Sequence, residues 1–291
     1  MFKDSSCPIA CFRFGNTAVA LCLSLLLATT TLTAAAQSAS AAVSQPSAPS
    51  NVSNSAALPD APQTQTEARE AITLKALPMN ILKDQGPIWT SPLRIRTHDL
   101  IWLLPLAAAT GIGIATDQHV MNDVVSKDPS FNDANINASN VMIGGLLFTP
   151  AVLYGVGHFN KDEHARETGL IGAEAIGDGV IVEQGLKLIF WRERPNVDNA
   201  RGLFWQSSAG VDSSLPSSHS VLAWSTAAVL AGEYPSAWSQ IAVYSLATGV
   251  SVTRVLGQEH FPTDVLVGSA TGWLVGHYVY RHRHKHVAAI H

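Results

Sequence analysis

The sequence predicts an all-α protein, specifically a six-helix bundle, and three observations carry that prediction. The 291 residues are 47% hydrophobic and only 14% charged, the balance of a well-buried helical protein or of a membrane protein. Six apolar or amphipathic segments, at approximately 98–116, 140–158, 167–191, 218–232, 238–256 and 263–280, are too long for ordinary strands and rich in Ala, Leu, Val and Gly. Strand-like alternation between them is scarce.

The elements follow in chain order. Lys3 and Arg13, the apolar run Ala18–Leu27 and the small residues Ala34-Ala35-Ala36 before Gln37 read as a signal peptide over residues 1–36; the alternative is an uncleaved membrane anchor. Residues 37–68 are rich in Ser, Ala, Pro, Gln and Asn without apolar period and read as a disordered tether. The helical domain is expected over 69–280. A long connection, about 117–139, is expected after the first helix, with turn signals at Asp128-Pro129-Ser130, Asn196–Gly202 and Tyr234-Pro235-Ser236. The basic, histidine-rich end, 281–291, reads as a solvated tail.

Composition also excludes. The net charge of −4 offers nothing to a nucleic-acid partner. Cys7, Cys11 and Cys22 all precede residue 37, so a mature domain has no disulfide, thiolate metal site or cysteine nucleophile. Glu174 and Asp178 with Glu183 are carboxylates on one helical segment, but Glu183 and Lys187 at i, i+4 read as a pair that positions the lysine. No metal site is expected. Gly172, Gly177 and Gly185 read as close-approach packing positions.

Three blocks in the second half carry chemistry. The first runs from Lys187 to Arg194-Pro195. The second is Pro216-Ser217-Ser218-His219. The third is Thr253-Arg254, five residues, His260, three residues and Asp264. Lys187 and Arg194 share a helical face if the helix continues to Pro195, and Arg254 adds a third cation; three cations around one point suit a phosphate and its transition state. Ser217 and Ser218 precede a helix whose N-terminal N–H groups attract an anion. On a helix, Asp264 can hold one ring nitrogen of His260 and leave the other free to attack, with His219 as general acid.

The order and spacing of the blocks resemble the phosphatidic acid phosphatase type 2 and vanadium haloperoxidase superfamily, whose signature is K-x6-RP, PSGH and SR-x5-H-x3-D. The signature spans Lys187–Asp264 and the wider resemblance roughly residues 98–280. It implies that Lys187, Arg194 and Arg254 bind phosphate and that Ser217 and the Ser218 N–H complete the oxyanion site. It implies His260 as nucleophile, Asp264 as its orienting partner and His219 as general acid. Two positions depart from the pattern: Ser218 replaces glycine, adding a β-carbon and hydroxyl where a phosphate approaches, and Thr253 replaces serine.

The resulting expectation is a cofactor-free phosphatase acting on a phosphorylated lipid or a small soluble phosphomonoester. The alternatives are a haloperoxidase, which would need vanadate in the same pocket, and a non-enzymatic envelope protein. Export implies a periplasmic or cell-envelope location with the active site on the outer side. A membrane span needs ~20 apolar residues; 98–116 and 238–256 approach this, whereas 218–232 is short and 167–191 carries internal charges. A soluble or peripheral domain and a partly spanning one both fit.

Overall fold

The computed structural model describes residues 72–206 and 212–288, the last four by backbone only. The expected signal peptide and the whole of the expected tether lie outside these residues. Seven α-helices and no strand occur among the described residues: α1 (Leu77–Thr90), α2 (Leu100–His119), α3 (Pro129–Asn160), α4 (Glu163–Phe190), α5 (Ser218–Glu233), α6 (Ala237–Leu256) and α7 (Pro262–Ala288). The all-α class stands, and α2–α7 coincide with the six expected segments. The added helix, α1, contains Gly86 and Pro87, two residues that argue against a helix in sequence terms. It forms because Ile81 and Trp89 seat against Gly177 and Gly185 of α4: a β-carbon there would meet Ile81 Cδ1 at 2.5 Å and Trp89 Cζ2 at 2.6 Å.

The expected long connection before α3 is a short one. Asp128-Pro129-Ser130 is the start of the helix. The Asp128 carboxylate accepts from Phe131 N at 3.0 Å and Ser130 Oγ at 2.5 Å, and Pro129 takes the first helical position, where its missing N–H costs nothing. Only a π-helical turn, Val120–Val124, and four further residues separate α2 from α3.

Helix α5 is the centre of the bundle, packed against α4, α6 and α7. Ala223, Ala227, Leu230 and Ala231 of α5 form one core with Ile143, Leu146 and Leu153 of α3 and Val243, Ala247 and Val250 of α6. On its other side α7 lies backbone to backbone. A β-carbon at Gly268, Gly272 or Gly276 would come within 2.9, 2.1 or 2.2 Å of the carbonyl oxygens of Ser217, Val221 and Ser225. Glycines four apart share one helix face, so this stripe lets the start of α7 sit directly on the start of α5.

Within the basic C-terminal stretch, expected as a solvated tail, residues 281–288 are helical and Arg283 is tied into the bundle. Helix α7 continues to Ala288, and Arg283 donates to Glu174 on α4 at 2.6 Å and to Asp84 on α1 at 3.0 Å. Asp178, beside them, accepts from Gln85 at 2.7 Å. The guanidinium links α1, α4 and α7 because three buried carboxylates need a cation among them. Thus Glu174 and Asp178 belong with Asp84 and Arg283, away from Glu183.

Two described segments, Thr97–Val124 and Pro129–Asn160, are long and apolar enough to cross a membrane. The first is the expected 98–116. The second is not 238–256, where serines, threonines, Gln240 and Arg254 interrupt the apolar run. Ile101, Trp102 and Leu104 of α2 are all more than 60% exposed, an apolar surface facing away from the bundle.

Candidate active site

The three sequence blocks meet at one end of the bundle, where α4 and α6 end and α5 and α7 begin. Lys187 lies in the last turn of α4 and is buried. Its Nζ donates to Ser218 Oγ at 2.7 Å and lies 3.6 Å from Glu183, while Ser218 Oγ donates to Glu183 at 3.1 Å. The hydroxyl that replaces the family's glycine is therefore a bridge between Lys187 and its counterion. Burial pushes the Lys187 ammonium below its ordinary value, opposed by Glu183 and reinforced by Arg194.

Arg194 does not reach the site along a continued helical face. Helix α4 ends at Phe190, and Trp191 turns the chain in the left-handed conformation, φ 42° and ψ 51°. Arg194 then donates to Glu259 at 2.7 Å and to Asp212 at 2.9 Å. Arg254, buried in the last turn of α6, donates to the same Glu259 oxygen at 3.1 Å. Its Nε has no partner among the described residues, nor has the fully buried Ser217 Oγ. Ser217 holds the N-cap position of α5 but its side chain makes no capping bond, so that hydroxyl remains available beside the first N–H groups of the helix.

His219 follows on the first turn of α5, half-buried, with Nε2 3.1 Å from Asn140 Oδ1 on α3. Its imidazole is pushed down to about 4, first by burial and then by the charges of Arg254, His260, Lys187 and Arg194.

His260 precedes α7, so it and Asp264 are not on one helix as expected. Its Nδ1 lies 2.9 Å from the Ser214 carbonyl and 3.6 Å from Asp264 Oδ2. A carbonyl only accepts, so Nδ1 carries the proton and Nε2 of the neutral ring keeps its lone pair. Burial lowers the His260 pKa; Asp264 opposes this, and Arg194 and Arg254 add to it. Burial thus favours the neutral ring. Asp264 acts mostly on the surroundings of His260: it accepts from Phe261 N at 2.8 Å, from Ser214 Oγ and from Arg192 at 2.7 Å. Burial alone would raise its carboxyl, but the hydrogen bond and charge of His260, the charge of Arg192 and the Ser214 hydroxyl hold it below the ordinary range.

Sequence reasoning missed the support behind this dyad. Arg192 is 1% exposed and donates to Asp264, to Thr263 Oγ1 at 2.8 Å and to Asp117 of α2 at 2.8 Å. Its Nε reaches the carbonyl of Gly202 at 3.3 Å, a glycine in the left-handed region, φ 57°. The guanidinium lies over the rings of Phe261, at 4.1 Å, and Phe204, at 5.0 Å. A signal was present: Asp117 is the single acidic residue in the apolar helix α2, and a lone carboxylate there needs a cation. Ser214, Asn140 and Glu259 carried no comparable signal.

Comparison with known proteins agrees with this geometry. Residues 168–288 match the PAP2 superfamily. A lipid A 1-phosphatase from Porphyromonas gingivalis is 27% identical over 178 residues, covering 60% of this chain and 36% of the relative. This chain therefore spans only about a third of the length of that curated relative. No solved structure matches. The three blocks, in the order of the resembled signature and gathered at one end of an all-α bundle, all lie within residues 168–288, the segment that is similar to the PAP2 superfamily.

Proposed function

We propose that the chain is a phosphatase that hydrolyses a phosphate ester, with phosphorylated lipids as its substrate class, through a phosphohistidine at His260. One observation carries the reading. Two buried donors without partners, Arg254 Nε and Ser217 Oγ, lie in a site whose cations act together on an uncharged His219 and an uncharged His260. That arrangement suits an incoming phosphate dianion, which supplies acceptors for the donors and charge for the cations. The name of the lipid A 1-phosphatase relative supports the lipid class, and the apolar surfaces of α2 and α3 support association with a membrane.

In this reading His260 Nε2 attacks phosphorus while Nδ1–H stays on the Ser214 carbonyl. Bound phosphate offsets the positive charges that add to burial in keeping His219 neutral, so His219 takes up a proton and gives it to the departing alkoxide oxygen. Water then attacks the phosphoryl group on His260 and returns a proton to His219, which frees phosphate and restores His260.

Phosphate release from lipid A phosphate, phosphatidate and a soluble monoester, with and without chelator, tests the class. A rapid quench in alkaline denaturant should recover a labelled phosphoryl-enzyme that is acid-labile and alkali-stable. His260→Ala should release no phosphate and carry no label; full turnover in that variant would overturn the mechanism.

A further inference from the structure

Glu259 sits on the phosphate-binding arginines themselves. A single carboxylate oxygen, Oε2, accepts from Arg194 Nη1 at 2.7 Å and from Arg254 Nη2 at 3.1 Å. The turn after α6 puts it there. Gln258 is left-handed at φ 56°, and Glu259 N still donates to Arg254 O at 3.1 Å, so the side chain folds back over the helix end it has just left. The Arg254 side chain is 7% exposed and that of Glu259 is 27% exposed, so the carboxylate has a path to solvent that the arginine lacks. Arg194 is held independently by the Glu259 carbonyl at 3.4 Å and by Asp212, through its carbonyl at 3.2 Å and its carboxylate at 2.9 Å. It stays in place when the Glu259 carboxylate moves.

A carboxylate oxygen and a phosphate oxygen use the same guanidinium N–H groups. We propose that Glu259 is a tethered competitor for phosphate, one that swings aside for the substrate and returns to Arg194 and Arg254 to expel inorganic phosphate after turnover. This rests on the phosphatase reading above and adds to it the residue that clears the product. A tethered group competes at an effective concentration of the order of millimolar or more, enough to keep free phosphate from holding the site. The chemistry also needs it to leave: Arg254 can serve the transferring phosphoryl group fully only when its Nη2 is released.

The opposite role, Glu259 as a clamp that positions the arginines, reverses the sign of the result. Orthophosphate affinity of the full chain, measured by calorimetry and as product inhibition, is compared between wild type, Glu259→Gln and Glu259→Ala. Expulsion predicts about tenfold tighter orthophosphate binding in both variants, with KM and kcat falling together as product release slows. Unchanged or weaker binding in both variants overturns the proposal. If the wild type releases phosphate from esters and binds it, that result removes this inference alone. A wild type that does neither removes the phosphatase reading and this inference with it.

Discussion

Replacing Arg192 by methionine removes the cation behind the His260–Asp264 pair while keeping a side chain of similar reach. Two buried carboxylates, Asp117 and Asp264, lose their cation at once, and Thr263 Oγ1 and the Gly202 carbonyl each lose a hydrogen bond. Breaking a buried ion pair from one side costs about 3–5 kcal/mol, and loss of the guanidinium over Phe261 adds about 1 kcal/mol. Denaturant unfolding followed by circular dichroism should show a loss in that range. The acid limb gives a second reading. Asp264 is held below the ordinary carboxylate range, so it contributes stability that is present above about pH 3.9 and is lost as pH falls through its lowered native value. Without Arg192, burial is less opposed and the Asp264 pKa rises, so the gap between wild type and variant narrows on acidification. A loss below about 1 kcal/mol, the size expected of an exposed ion pair, would refute the reasoning.

Two other outcomes follow from the geometry. In an imidazole NMR titration His219 should stay neutral to about pH 4 and then show a rise in midpoint when orthophosphate is added. The unfolded ring takes up its proton near 6.5, so stability should decline as pH drops between those values, and a midpoint at the ordinary value would contradict the site described. Gly272→Ala places a β-carbon 2.1 Å from the Val221 carbonyl; it should cost at least about 1–3 kcal/mol and lower turnover by parting the Asp264 carbonyl from Ser217 N, which donates to it at 3.1 Å, and near-neutral denaturation and kinetics would show that α5 and α7 do not meet as described.

The helices were legible where local pattern decides them. The segments of α2–α7 are apolar or amphipathic and too long for strands, and Asp162 and Ser236 cap α4 and α6 through Ala165 N and Ser239 N, each at 3.1 Å. Helix α1 was not legible, because its support comes from Gly177 and Gly185, about a hundred residues away, and outweighs its own Gly86 and Pro87. Asp128-Pro129-Ser130 misled for a related reason: the same residue types open a turn and open a helix, and only the bond to Phe131 N separates the two.

The sequence by itself determined the candidate reacting groups. Lys187, Arg194, Ser217, His219, Arg254, His260 and Asp264 are read from three short blocks, since a cation, nucleophile or acid is a property of the residue and its neighbours in the chain. Only the tertiary structure decided how those groups are held and charged. Arg192 finds Asp117 across 75 residues, His260 finds Ser214 across 46 and His219 finds Asn140 across 79. Such partners leave no periodicity in a sequence, because hydrogen bonds and burial depend on distance in space, and it is burial that keeps both histidines uncharged.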